Sequence, residues 1–228
     1  MLPSEEDPNA VSGQGDPGAV SARPLRSIRA ALETQPVLIV VAGPNGAGKS
    51  TFFDEYLEDL DLPYVNADRI ARILREATPR ASPADIDRRA FRHAETLRKA
   101  LVEAGLSFCT ETVFSDPAGA KLALLHAARR RGFAVFLVFV GLDSPALSVA
   151  RVKQRVEQGG HDIPDDKLHA RFPRTLANLR AAVPVVDEAF LFDNSSSDTP
   201  YRLVAAYAGG QLVRRHPPLP AWTRGLPG

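Results

Sequence analysis

Apolar and polar positions fall in blocks along this chain, and the blocks predict strands interleaved with helices. Residues 37–41 (VLIVV) are an unbroken apolar run rich in β-branched side chains, the pattern of a strand buried on both faces. Residues 106–111 and 188–193 read as further buried strands, and 133–142 is the most apolar strand of the chain. Residues 63–68 read as a short strand that ends in polar positions. Helical spacing fills the intervals. A short amphipathic helix is predicted over 25–32, others from Lys49 to about 60 and over 69–76. Ser82-Pro83-Ala84-Asp85 supplies an N-cap, a proline at the first helical position and an acid at the third. That helix runs to about 103 and stops at Gly105, with Ile86, Ala90, Phe91, Ala94, Leu97 and Leu101 as its apolar positions. A helix over 117–130 is capped by Ser115 or Asp116 and stopped at Gly132. Asp143-Ser144-Pro145 opens a helix that reaches Gln158 and ends at Gly159-Gly160. The last helix covers about 165–182 with a kink at Pro173, and 201–207 with 211–214 form a closing hairpin.

Strands that alternate with helices imply an α/β fold with a mostly parallel central sheet covered on both faces, a three-layer arrangement. Ligands of such sheets bind outside the carboxyl ends of the strands. The polar residues just after each strand are therefore the ones to read: 45–50, Asn66 and Asp68, Glu111 and Thr112, Asp143, and Asn194.

The chain of 228 residues suits one domain. Residues 1–23, rich in Pro, Gly, Ser and acids, are predicted to be a disordered tail, 24–215 the folded domain, and 216–228 an irregular Pro-rich tail. Net charge is +1, which singles out neither nucleic acid nor membrane. Residues 1–20 hold four acids and no Lys or Arg, so the remainder carries 28 cations against 23 acids, a surplus suited to an anionic substrate. A single cysteine, Cys109, excludes an intramolecular disulfide and fits a reducing, cytoplasmic compartment. The longest apolar run is too short to span a bilayer, and the acidic start has no secretory pattern.

Gly43-Pro44-Asn45-Gly46-Ala47-Gly48-Lys49-Ser50-Thr51 fits G-x-x-x-x-G-K-[ST], between a buried strand and a helix, the setting a phosphate-binding P-loop requires. Glycines let successive backbone N–H groups converge on an anion, and the helix N-terminus adds positive potential. This predicts binding of a nucleoside triphosphate, ATP, with Lys49 on the β- and γ-phosphates and the Ser50 hydroxyl on Mg2+.

Three further blocks narrow the reading. They are Val65-Asn66-Ala67-Asp68, Thr110-Glu111-Thr112, and the run from Arg151 through Arg155, Gly159-Gly160-His161 and Pro164 to Arg171 and Arg174. Together with the P-loop they resemble the zeta-toxin family of P-loop kinases, over roughly residues 36–195 and closest to its short members. The resemblance implies an ATP-dependent kinase with a flexible, helical, arginine-bearing lid, here about 151–180. Characterised toxins of the family phosphorylate UDP-N-acetylglucosamine on a sugar hydroxyl and so disturb cell-wall precursor supply. A neutralising antitoxin protein is implied as partner.

On this resemblance Asp68 matches the catalytic acid, which takes the proton of the attacking hydroxyl. Asp68 or Asn66 can equally cap the following helix. Asn66, Glu111 and Thr112 stand as substrate-binding candidates, and Glu111 can alternatively act through water on Mg2+. Arg155 and Arg171 are the lid arginines that stabilise the transferring phosphoryl group, with Arg151 and Arg174 competing for the role. A solvated basic helix face is the plainer reading of each. Gly159-Gly160 would be a hinge, His161 a loop-fixing hydrogen bonder, Asp143 a helix cap, and Asn194 either a neighbour of the adenine or a turn residue. A nucleotide switch or transporter-type ATPase is the competing class. It lacks support, since neither an Asn-Lys-x-Asp nor a Leu-Ser-Gly-Gly-Gln motif is present. No aromatic-interleaved basic patch argues for a nucleic-acid substrate.

Overall fold

The computed structural model describes residues 22–117, 119–157 and 163–228. The expected disorder of 1–23, except at its last two residues, the Gly159-Gly160 hinge and the role of His161 lie outside the described residues.

Seven strands form one sheet in the order β2-β3-β1-β4-β5-β6-β7. These are β1 (Val37–Ala42), β2 (Tyr64–Val65), β3 (Phe108–Thr112), β4 (Ala134–Gly141), β5 (Glu188–Asp193), β6 (Arg202–Ala208) and β7 (Gln211–Arg215). The first five are parallel, and β6 and β7 add an antiparallel hairpin at one edge. Central strands β1 and β4 are buried at every position, as their continuous apolar runs predict.

The helices are α1 (Ala22–Leu32), α2 (Lys49–Tyr56), α3 (Ala67–Ala77), α4 (Pro83–Ala104), α5 (Ala120–Arg130), α6 (Pro145–Glu157) and α7 (Asp165–Ala182). Apolar residues of alternate parity on the strands feed two separate cores. Leu38, Val40, Leu137 and Phe139 meet α4, α5 and α7 on one face. Ile39, Val41, Phe136 and Val138 meet α1 and α2 on the other. This is the three-layer α/β architecture expected of a P-loop protein.

Local signals fixed most boundaries. Ser82 caps α4 by accepting from the Asp85 amide at 3.2 Å, and Gly105 ends it at φ 67°. Three expectations need correction. Phe91 and Leu97 are 55% and 43% exposed. The buried stripe of α4 passes from Ile86 and Ala90, packed against α3, to Arg98, Leu101 and Val102 over the sheet, and these two side chains fall outside it. Helix α5 starts at Ala120, behind Gly119 at φ 70°, and not at 117. The preceding segment is held open by α7, where Thr175 donates to the Val113 carbonyl and Asn178 to the carbonyls of Phe114 and Asp116. Finally, Ser144 rather than Asp143 caps α6, accepting from the Leu147 amide.

Candidate active site

The loop between β1 and α2 is built for close approach. Gly43 has φ 148°, and a Cβ there would sit 2.1 Å from the Val140 carbonyl oxygen of the neighbouring strand. Gly48, at φ 87°, has no room either: a Cβ would meet the Tyr201 hydroxyl at 2.7 Å and Asn194 Nδ2 at 2.8 Å.

Four loop carbonyls are each taken by a side chain from a different place. Lys49 Nζ donates to Pro44 O at 2.9 Å, Ser148 Oγ to Asn45 O at 2.7 Å, Asn194 Nδ2 to Ala47 O at 2.9 Å and Tyr201 Oη to Gly48 O at 2.9 Å. With these carbonyls engaged, three of them from outside the loop, the loop amides and the first turn of α2 are left to face an anion. Burial pushes the Tyr201 phenol up to about 12, so it stays a donor. Sequence reading left Asn194 between an adenine neighbour and a turn residue. Its amide is a strut under the P-loop. Tyr201 and Ser148 were missed, because their spacing from the loop follows only from the strand order.

Lys49 is 6% exposed, and burial lowers its ammonium pKa while Glu111 and Asp68 pull it back up. Glu111 is the penultimate residue of β3, the strand beside β1, and its carboxylate gathers this corner of the site. Its Oε1 lies 3.9 Å from Lys49 Nζ. Its Oε2 accepts from Ser50 Oγ at 2.8 Å, from Asn66 Nδ2 at 2.7 Å and from Tyr64 Oη. Tyr64 is itself stacked on the Phe53 ring at 3.6 Å, and the Arg69 guanidinium lies beside the pair, 4.6 Å from the Tyr64 ring and 5.5 Å from that of Phe53. A buried Arg98 holds the strand end from behind, donating to Thr110 Oγ1 at 2.7 Å and to the Glu111 carbonyl at 3.1 Å. Neither Tyr64 nor Arg98 carried a sequence signal that set it apart from ordinary strand and helix positions.

Asn66 caps α3, its Oδ1 accepting from the Asp68 and Arg69 amides at 2.7 and 3.1 Å. Both ends of this amide are thus taken by protein, so its bonds position Asp68 and Glu111. Thr112 Oγ1 accepts from the Phe114 amide at 3.0 Å, within the turn that follows β3. Asp68 has no such role. It stands exposed in the first turn of α3, on the wall of a cleft of about 580 Å3 that also holds Asn45, Glu111 and Thr112.

The opposite wall comes from α6 and α7. Arg155, Arg171 and Arg174 line the cleft with Lys167, whereas Arg151 does not. Arg151 packs against Gly46 and donates to the Ser195 carbonyl at 3.4 Å, so one turn of α6 separates an arginine over the P-loop from one in the cleft. Burial and Arg174 lower the Arg171 pKa while Asp68 raises it, which places Arg171 in electrostatic reach of Asp68. Helix α7 is anchored through buried Leu168, Phe172, Thr175 and Leu179 along its length. Among the described residues, the arginines expected on a lid thus project from packed helices.

Such a site defines a P-loop protein whose phosphate loop, magnesium-compatible oxygens and arginine-lined cleft share one end of a parallel sheet. The AAA domain family profile matches residues 38–178, and the chain belongs to that family. An uncharacterised protein of Haemophilus influenzae is 31% identical over 134 residues, 59% of this chain and 91% of that one. Among solved structures, the fold is shared with that of the PezAT chromosomal toxin–antitoxin system of Streptococcus pneumoniae, at 18% identity and TM-score 0.56, covering 86% of this chain and 83% of that one. It is likewise shared with AvrRxo1-ORF1:AvrRxo1-ORF2, at 19% identity and TM-score 0.63, covering 89% and 74%. The same complex has been crystallised with ATP, again at TM-score 0.63 and 19% identity, covering 86% and 71%.

Proposed function

We propose that the protein is an ATP-dependent kinase that phosphorylates a hydroxyl of a small molecule, with a UDP-amino sugar such as UDP-N-acetylglucosamine as acceptor. One observation carries the reading: a single cleft joins the P-loop at Asn45 to an exposed carboxylate, Asp68, on one wall and to Arg155 and Arg171 on the other. A simple hydrolase or switch needs no exposed acid across an acceptor-sized cavity. The resemblance of the motif set to that of zeta toxins supports the choice of acceptor class.

In this reading Lys49 and the loop amides hold the β- and γ-phosphates. The Ser50 hydroxyl and Glu111 carboxylate, 2.8 Å apart beside Lys49, are the hard oxygen donors Mg2+ takes, Ser50 directly and Glu111 through water. When bound, that ion would neutralise charge on the phosphate oxygens. Asp68 accepts the proton of the acceptor hydroxyl as its oxygen bonds to the γ-phosphorus and the bond to the β–γ bridging oxygen breaks. Arg155 and Arg171 stabilise the charge spread over the equatorial oxygens. Asn66 orients the turn that presents Asp68. A protein partner that neutralises the activity is part of the proposal, since the PezAT system pairs a toxin with an antitoxin. So is a cytoplasmic setting, where the lone buried thiol Cys109 stays reduced.

The test is transfer from γ-labelled ATP and Mg2+ with UDP-N-acetylglucosamine, with N-acetylglucosamine lacking the UDP, and with no acceptor. Labelled sugar nucleotide is expected only with the first. ATP turnover that is equal in all three mixtures, with no labelled acceptor, would overturn the kinase reading. Label on another hydroxyl compound in place of the sugar nucleotide would keep the kinase and overturn its acceptor.

A further inference from the structure

The Pro-rich tail after β7 carries the only tryptophan of the chain, and it lies outside the family match at residues 38–178. Trp222, in a 3-10 turn at Ala221–Thr223, is 3% exposed. The tail is bound along its course. Arg202 donates to the carbonyls of His216 and Pro218, Arg180 to that of Arg224, and Tyr207 to that of Pro227.

Trp222 touches the ends of β4 and β5, the strands that abut the phosphate loop. Its ring lies where a side chain on Gly141 would be, with indole carbons 2.4 Å from a Cβ built there. Its Nε1 donates to Asp193 Oδ1 at 3.3 Å. Two routes lead from these contacts to the P-loop. By packing, Gly141 follows Val140, whose carbonyl is the floor under Gly43. By hydrogen bonds, Asp193 Oδ1 also accepts from Ser195 Oγ at 2.7 Å, and Ser195 Oγ accepts from the Asp143 amide. Between them Asn194 donates its backbone amide to Gly141 O and its side chain to Ala47 O. The 193–195 turn is therefore held by Trp222 at one end and holds the P-loop at the other.

We infer that Trp222 is a positioning residue for the nucleotide site, setting through Asp193 and Asn194 the conformation of the loop that receives phosphate. The inference rests on the nucleotide reading only for its effect on ATP; the effect on the loop is a property of the protein alone. Hydrogen exchange, in the free protein, of the amides that are hydrogen-bonded at this junction, Ala47 to Pro44 O, Phe52 to Gly48 O and Asn194 to Gly141 O, is the direct test. Trp222→Phe keeps an apolar plug and removes the Nε1–H. Val135→Ala, at the opposite end of β4, is the control for general loss of stability.

These three amides should exchange on the order of tenfold faster in Trp222→Phe and change little in Val135→Ala once both are compared at equal distance below their melting temperatures. The MgATP dissociation constant should rise by about twofold to threefold, less than on loss of the Asn194 strut itself, with the single tryptophan of the wild type changing its fluorescence on nucleotide addition. Exchange in Trp222→Phe equal to wild type, or matched by Val135→Ala, would overturn the inference. A wild type that fails to bind MgATP would contradict the proposed function, and the exchange comparison would still decide the role of Trp222.

Discussion

The two ends of the cleft are built differently. At the phosphate end the acceptors around the loop are tied: four carbonyls to four side chains, and Glu111 to Ser50, Tyr64 and Asn66. At the acceptor end Asp68 is exposed, and Arg174 and Lys167 are exposed with it. The difference matches the two tasks. A triphosphate always presents the same oxygens, so its cradle can be largely fixed in advance; in the proposed complex only the Lys49 ammonium and the Ser50 hydroxyl exchange their partners, Pro44 O and Glu111, for the ligand. The acceptor must enter, meet the γ-phosphorus and leave, and a carboxylate locked to protein partners could not take its proton.

Mutations on either side of that division should separate accordingly. The largest effect is expected from Lys49→Ala. The phosphates lose their fixed cation, the partly buried Glu111 carboxylate loses its countercharge, and both ATP affinity and transfer should collapse; unchanged turnover would remove the P-loop from the mechanism. Next, Arg171→Ala and Arg155→Ala should each slow transfer by roughly two orders of magnitude or more with little change in ATP affinity, as loss of a transition-state donor does. Arg151→Ala, whose side chain lies over the P-loop and outside the cleft, should instead weaken ATP binding. Steady-state rates and calorimetric affinities for the three variants would reveal whether the one-turn separation along α6 divides the roles in this way. The smallest effects belong to the outer struts. Asn194→Ala and Tyr201→Phe each remove one hydrogen bond to a loop carbonyl, a loss of about 1 kcal/mol. ATP affinity should fall by about fivefold with the rate at saturation little changed.

The sequence made the first of these regions legible and the second only in part. The P-loop announces itself because its chemistry demands glycine, lysine and a hydroxyl at fixed spacing within nine residues. The strands around it are legible because burial on both faces requires unbroken apolar runs such as 37–41 and 133–142. Glu111 and Asp68 could be singled out because parallel sheets gather strand ends at one edge. Tyr201, Asn194 and Ser148 were not assigned as loop struts, because 147 residues separate Asn194 from Ala47 and only the strand order brings them together. Phe91 shows the opposite failure. Helical periodicity places it on the apolar face, but the cleft beside α4 leaves that face without a covering element, and the ring stands over Lys121 at 5.4 Å. Trp222 followed a proline-rich run that carries no periodicity at all, so its docking could not be read from pattern.

The central claim is that Asp68 acts on the acceptor and not on the nucleotide. Measuring MgATP affinity and the rate of phosphoryl transfer together for Asp68→Asn tests it most directly. The account predicts an affinity within about twofold of wild type and a transfer rate lower by roughly two to four orders of magnitude, the range of a lost general base. A variant that transfers phosphate at near the wild-type rate would contradict it and leave Asp68 as a residue of the first turn of α3 with no part in the chemistry.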